Sequence, residues 1–556
     1  VTAAAPDRLG LCEGLLLLIA ALVLLVPGLT SLPPVDRDES RYAVATTQML
    51  ATGDYVDIRF QDQPRYLQPA GVYWLQALSA GAFTEPEARQ IWAFRLPSLV
   101  AALAASLITG FMASLWFGRW AGLLAGLMLA ACMSLGFEAR IAKTDASLLA
   151  AVTIAQFAFM RVYAGAARSR WPVLVFWMAL GVGMMLKGPI ILIVVGLGAL
   201  ALAIWDRSLA RLKPLQPLWG LPLALLVAAP WYVMIGLATD GDFFRVAIGD
   251  NLLHKVGTSQ QSHGGPIGYH LMGFALTFWP GALLAALAIP FAWRERARPE
   301  VRFLICWIVP AWLVFELVST KLPHYVLPVF PAIATLTAAA VTAQRPAAGR
   351  VQKALFGLFL LLWLAVSLAL SLLAPFGVWT YEARIDGLAV VLAAGAIAAV
   401  GVVVWRVLAG RPDQAALAGV VAAILVTSNT YGYALPRLES LWLSPQIVAR
   451  ARAAAPGCAT PLIISAPYHE PSMVFLNGPA RTRLTPTPEA AAEVLAQAAD
   501  CAVAVIGAPE TPVFLAKASA LGLSLQRAGQ VTGQNYSDGE DLDLTLFVAG
   551  EGDLAP

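Results

Sequence analysis

The sequence predicts a polytopic α-helical membrane protein carrying a small α/β domain at its C-terminal end. Three observations point there. Hydrophobic residues make up 59% of the chain and charged residues only 13%, and the mean hydropathy is +0.71, a balance that suits a lipid solvent. Apolar runs long enough to cross a bilayer recur along the chain. After Pro436 the composition turns soluble.

Reading in order, we expect about thirteen spans, each near the ~20 residues that a helix needs to cross the hydrocarbon. They lie near 15–32, 96–117, 121–137, 146–164, 171–186, 190–205, 216–236, 269–291, 303–319, 325–342, 354–376, 387–405 and 415–434. The first is expected to anchor the chain, since a polar loop follows it directly with no small-residue cleavage pattern. Arg8, Arg119, Arg168, Arg170, Arg207, Arg211, Lys213, Arg294, Arg296, Arg298, Arg345, Arg350, Lys353 and Arg411 fall on one side of the alternation, which marks that side as cytoplasmic. The body 1–436 then presents loops 33–95 and 237–268 to the opposite side, together with the tail 437–556.

In the tail, "PLIIS" and "CAVAVIGAP" read as strands and "PEAAAEVLAQAA" as a helix. Cys458 and Cys501 both lie there. An oxidising compartment favours a disulfide between them; the other reading is two buried thiols. The net charge of +3 identifies no partner, and the sequence carries neither a P-loop nor a Rossmann glycine fingerprint. Nucleic acid is not an expected partner.

The stretch "VDRDESRY", residues 35–42, concentrates charge just after the first span. The run beginning there reads as a helix, with Asp36 and Glu39 as a capping box and Gly53 as its C-terminal stop. Asp38, Arg41 and Tyr42 share one face of it. The bland alternative is a solvated ion pair contributing ~0–1 kcal/mol. Further polar residues gather where spans emerge on the same side: Arg95, Glu138, Arg140, Lys143, Asp145, Lys187, Arg245, Lys255, Glu316, Lys321 and Tyr325. Cations there run against the positive-inside tendency and point to an anionic partner such as a lipid phosphate. Internal pairing, Lys143 with Asp145 for instance, is the competing reading.

All five histidines, His254, His263, His270, His324 and His469, fall on that side. Imidazole is a common metal ligand, which leaves a divalent metal conceivable, but no spacing joins two of them with cysteines or carboxylates as a metal set would require, so no metal or other cofactor is expected to be essential. His254 and His263 are read as phosphate or sugar-hydroxyl contacts, or as ordinary loop residues. In "QPRYLQPAGVYW" the rings of Tyr66, Tyr73 and Trp74 suit an interfacial belt, sugar stacking or a polyprenyl groove.

The combination of "DRDESRY", "QPAGVYW", "KGPI" and "STKLPHYVLPVFPAIA" resembles the polyprenyl-phosphate-dependent glycosyltransferases of the GT-C type. More narrowly it is similar to the bacterial aminoarabinose transferases that modify lipid A, which are related to protein O-mannosyltransferases. The resemblance runs over essentially the whole chain. It implies an inner-membrane enzyme, monomeric, with its active site and C-terminal domain facing the periplasm. The expected reaction moves 4-amino-4-deoxy-L-arabinose from undecaprenyl phosphate to a lipid A phosphate with inversion. It assigns Asp38 as the catalytic carboxylate with Arg41 and Tyr42 beside it, and Lys187, Lys321 and Tyr325 as contacts to the lipid phosphate or sugar. Relatives commonly carry lysine where this chain has Gln68; Arg65 is the residue placed to compensate.

The chemistry is clear in outline. The anomeric carbon is attacked, the lipid phosphate leaves with growing negative charge, and cations oppose that charge as it develops. Lys187, Lys321, Arg41 and Arg245 are the expected cations, with Lys143, Asp145, Tyr66, His254 and His263 completing the substrate site. For a hydroxyl acceptor Asp38 serves as general base; for an anionic acceptor phosphate it orients the donor or steadies an oxocarbenium-like centre. Alternatives are transfer of mannose to protein or galactosamine to lipid A, and a flippase of lipid-linked sugars. A flippase would hold ionisable groups at mid-membrane, whereas these lie at span ends.

Overall fold

The computed structural model describes residues 7–165, 169–247, 249, 264–343, 349–498 and 501–550. Each expected span contains helix. Among the described residues, seven helices are long and apolar enough to cross a membrane, and four shorter apolar helices accompany them, so the chain is a multi-pass membrane protein. The first ten helices position the site: α1 (Leu11–Leu25), α2 (Asp38–Thr52), α3 (Gly71–Phe83), α4 (Ile91–Phe117), α5 (Arg119–Ala131), α6 (Met133–Glu138), α7 (Asp145–Tyr163), α8 (Trp171–Lys187), α9 (Ile190–Asp206) and α10 (Pro217–Ala238).

Apolar residues remain on the outer faces because lipid, not water, is their solvent. Helix Arg350–Glu382 leaves Leu355, Leu358 and Leu361 exposed, a surface a water-soluble protein would bury. The inward faces carry the core, including Trp231, Trp279, Trp307 and Trp363, each at most 1% exposed.

Two expected spans are interrupted. The third breaks at Cys132, whose extended backbone separates α5 from α6; the freed Met133 amide donates to the Trp279 carbonyl. The eighth is divided into Tyr269–Met272, Phe274–Thr277 and Ala282–Glu295. Broken helix is tolerated at membrane depth where neighbouring protein satisfies its backbone.

Helix Arg350–Glu382 has 33 residues, about 50 Å at 1.5 Å per residue, well beyond the ~30 Å hydrocarbon core. Its projecting end meets the tail: the Ser440 amide donates to Glu382 and the Ser440 hydroxyl to the Tyr381 carbonyl.

Loop 33–95 contains the short antiparallel pair β1 (Arg59–Phe60) and β2 (Gln63–Pro64). The tail forms a five-stranded sheet from β3 (Leu462–Ala466), β4 (Thr482–Leu484), β5 (Ala502–Gly507), β6 (Leu525–Asn535) and β7 (Glu540–Ala549), in the order β4-β3-β5-β7-β6. β3 runs parallel to β4 and β5, with Ile463 opposite Val503; β7 runs antiparallel to β5 and β6. Alternation sends Ile463, Val503 and Val505 to one face under helix Leu443–Ala454, and Ile464, Ala504 and Ile506 to the other against Leu495 and Phe514. Both expected strands and the expected helix are present, the helix as Pro488–Gln497. Cys458 and Cys501, which precede the neighbouring strands β3 and β5, are joined by a disulfide.

Candidate active site

The start of α2 is not held by the expected capping box. Its N-cap is Arg37, and no side chain caps it. The Glu39 carboxylate instead forms a bidentate pair with Arg95 (2.8 and 2.7 Å) and accepts from the amides of Ala142 and Val35. Arg95 also donates to the carbonyls of Leu29, Leu32 and Pro33. Both side chains are buried, at 1% and 0% exposure, and this network is what makes a buried ion pair tolerable. Asp36 turns away to accept from the Ser472 amide of the C-terminal domain. At the other end α2 closes as expected, at Gly53 with φ +71.

With Glu39 fixed inward, Asp38 is left exposed at the helix start, Arg41 half-buried and Tyr42 buried. The Tyr42 ring packs 5.1 Å from Tyr73, and the Arg65 guanidinium lies over it at 4.7 Å while donating to the Tyr73 hydroxyl. Burial first, and then the Arg65 charge, pull Arg41 below its ordinary pKa. Neighbouring guanidiniums of this kind favour an anion.

Asp38 leads into a cluster at the ends of several spans. Lys143, in the turn between α6 and α7, stands 3.7 Å from Asp38, 3.9 Å from Asp145 and 4.0 Å from Glu138. Burial opposes its charge, but Glu138, Asp145 and Asp38 hold Lys143 above the ordinary lysine range. Asp145 opens α7 and pairs at 2.5 Å with Lys187, in the last turn of α8. His324 faces Glu138 through Nδ1 at 3.3 Å and Asp145 through Nε2 at 3.5 Å. Lys187 also lies 5.7 Å from the centre of the Tyr325 ring.

The end of α8 is held by a close approach. Gly71 in α3 stands where a Cβ would come within 2.6 Å of the Met185 carbonyl and 3.2 Å of the Leu186 amide. Gly188, with φ +62, then turns the chain out of α8. The "QPAGVYW" motif thus packs against the end of α8, immediately before "KGPI".

Glu138, Asp145 and His324 bring ligand-type atoms within 4.8 Å of one another, so folding assembles what sequence spacing did not. Such a donor set suits a divalent ion. Lys143 and Lys187 already supply two positive charges to these carboxylates, and the arrangement is an ion-pair network first.

Other expected contacts have other roles. Lys321 is buried and donates to the Gly265 carbonyl; beside it Thr320 bridges to Gly264. The Glu316 carboxylate accepts from the amides of Gly268, His270 and Leu271. Both therefore clamp the returning end of loop 237–268, and neither is a direct partner of the Asp38–Lys187 cluster among the described contacts. Arg245 pairs with Asp242. Tyr66 donates to Asp57 and packs edge-on against Phe243. His254 and His263 lie outside the described residues. His270 is buried and His469 is hydrogen-bonded to Thr485.

Arg95 and Arg140 emerged as structural cations. Arg140 donates to the carbonyls of Pro27, Gly136 and Leu24 and lies over Tyr431. The sequence carried a signal, since an arginine at a membrane-span end must find an internal partner.

Residues 14–239 match the model of the Dolichyl-phosphate-mannose-protein mannosyltransferase family. An undecaprenyl phosphate-alpha-4-amino-4-deoxy-L-arabinose arabinosyl transferase from Aeromonas salmonicida is 30% identical over 355 residues, covering 62% of this chain and 63% of that protein. The protein of the same description from Pseudomonas paraeruginosa is 29% identical over 401 residues, covering 69% and 71%. The chain thus spans 63% of the length of the first of these relatives. The crystal structure of ArnT from Cupriavidus metallidurans bound to undecaprenyl phosphate superposes with a TM-score of 0.74 at 18% identity, over 98% of this chain and 100% of that one. That likeness shows the fold.

Proposed function

We propose that the protein is an integral-membrane glycosyltransferase that moves a sugar from undecaprenyl phosphate to a lipid A phosphate at the periplasmic face of the inner membrane. The sugar we assign is 4-amino-4-deoxy-L-arabinose, the one named in the curated relatives. The observation that carries this reading is the Asp38–Lys143–Asp145–Lys187 chain of contacts, set at the ends of apolar spans on one side of the molecule. The matched relatives and the lipid bound in the superposed structure support it.

A polyprenyl tail rests in hydrocarbon against the apolar faces while its phosphate reaches the cluster. Lys187, with Arg41 and Arg65 on the Asp38 side of the cluster, opposes the charge that develops on the leaving phosphate, an electrostatic contribution of about 3–4 kcal/mol per well-aimed group. An acceptor phosphate is already anionic and needs no base. Asp38 then faces the anomeric carbon and steadies its positive charge, with the Lys143 ammonium 3.7 Å from its carboxylate. Asp145 positions Lys187. Tyr42 and Tyr73 hold Arg65.

Incubation of the purified protein in detergent with undecaprenyl-phosphate aminoarabinose and lipid A tests the reading. The expected product is lipid A with the mass of one aminoarabinose added on phosphate, formed without sealed vesicles. Absence of that product, with transfer to a peptide hydroxyl from a mannosyl donor instead, would move the assignment to the protein mannosyltransferase branch, which the family match keeps in view.

A further inference from the structure

Asp36 precedes Asp38 by two residues, yet its described polar contacts are all with the C-terminal domain. Its amide donates to the Tyr536 hydroxyl at 2.7 Å, and its carboxylate accepts from the Ser472 amide at 3.0 Å. Between the two aspartates stands Arg37 with φ +64 and ψ −102. A residue with a Cβ keeps such a backbone only where its surroundings over-determine it. Just beyond, the Ser40 amide and hydroxyl both donate to the Val35 carbonyl, and the Arg41 amide to the Arg37 carbonyl. The turn that aims Asp38 is therefore tied at every step, and one tie comes from a different part of the chain.

The same part of the tail grips α2 a second time. Val474 and Phe475 are buried with Ala43 and Val44 of α2, and Phe475 packs edge-on against Phe94 at 5.3 Å. Behind the contact the groups are braced: the Ser472 hydroxyl donates to Ser444, which shares a hydrogen bond with Tyr468, and Asn535 donates to Glu470.

We propose that the C-terminal domain is part of the catalytic apparatus, and that Asp36 is the positioning residue through which Ser472 and Tyr536 fix the Arg37 turn and hence the place of the Asp38 carboxylate. This rests on the reading of Asp38 as the group that faces the sugar. The tail is then more than a soluble appendage: release of its hold lets the turn relax and moves Asp38 away from the reacting carbon.

The test uses the full chain in detergent and compares Asp36→Ala, Asp36→Asn and Tyr536→Phe by kcat, by KM for undecaprenyl-phosphate aminoarabinose and by hydrogen exchange across residues 35–45. Displacement of a catalytic group by about an ångström can lower a rate by about 100-fold. Asp36→Ala and Tyr536→Phe are expected to lower kcat with KM little changed, and to speed exchange at the start of α2. Asp36→Asn keeps an oxygen for the Ser472 amide and is expected to restore both. Unchanged kcat and exchange in Tyr536→Phe would overturn the proposal, as would failure of Asp36→Asn to restore what Asp36→Ala loses. If Asp36→Ala does not fold, Tyr536→Phe, which keeps its ring against Trp442, carries the decision. If the wild-type chain transfers no sugar, the functional reading fails. The exchange data still decide whether the tail holds the turn.

Discussion

The Lys187 ammonium stands 2.5 Å from the Asp145 carboxylate, joining the last turn of α8 to the first turn of α7. Each charge sits at the helix end whose dipole favours it, so the pair is stable before any substrate arrives. The bound phosphate then shares an ammonium that Asp145 already holds in place.

Lys187→Ala is expected to lower kcat/KM for transfer by about 100-fold, the effect of removing one preorganised donor. Lys187→Arg keeps the charge but not the compact ammonium, and should recover only part of it. Asp145→Asn should fall between them. Steady-state transfer rates in detergent check the order; a Lys187→Ala variant with wild-type kcat/KM contradicts it.

The Glu39–Arg95 pair gives a separate prediction about stability. Both groups are buried and fully partnered, so removing one leaves the other charged in a low-dielectric site, a loss of about 3–5 kcal/mol. Arg95→Met is expected to lower the thermal midpoint in detergent markedly. The double variant Glu39→Gln with Arg95→Met should regain part of that loss, because no unpaired charge remains.

Gly71→Ala tests the contact between α3 and the end of α8. The added Cβ would meet the Met185 backbone at 2.6 Å, and overpacking of this kind costs about 1–3 kcal/mol. The shift falls on the end of α8 that carries Lys187. Transfer should therefore drop more than stability does, and equal losses would argue that α8 moves as a whole without disturbing the site.

Asp36 makes the chain pH-sensitive. Burial, and next the nearby Glu470 charge, raise its carboxyl to about 7. Tyr468 and Tyr536 also face it, and Arg37 flanks it. A raised carboxyl pKa means the folded state binds the proton that the unfolded state has released. Its stabilising contribution is therefore full below the ordinary carboxyl value of about 4 and is lost as pH rises through about 7. Thermal midpoints measured from pH 5 to 8 should fall more for the wild type than for Asp36→Asn. Parallel curves would show that Asp36 does not titrate in this range.

The helical body was legible because a lipid-facing helix must be apolar over a fixed length, and that constraint survives any tertiary context. So was the polar cluster on one side, where cations defied the usual charge bias. The division of the third span at Cys132 was not legible, since the Trp279 carbonyl that accepts the freed Met133 amide is supplied from far along the chain. Nor did the sequence separate the cations by role: Lys187 joins the cluster through Asp145 while Lys321 ties down a loop through Gly265, partners 42 and 56 residues away that local pattern does not reveal. The capping-box reading of Asp36 and Glu39 failed for the same reason. Local pattern offered a partner three residues away, but Arg95 and Ser472 met the two carboxylates instead. Strand β6 escaped notice because Gly529 and Gly533 interrupt its alternation.

The most direct measurement is the single-turnover rate of sugar transfer from undecaprenyl-phosphate aminoarabinose to lipid A by wild-type protein and by Asp38→Asn, both pre-loaded with donor. The account predicts that the variant binds donor with nearly unchanged affinity and transfers it at least about 100-fold more slowly, since a stabilising charge is missing only in the transition state. Transfer at the wild-type rate by Asp38→Asn would contradict it.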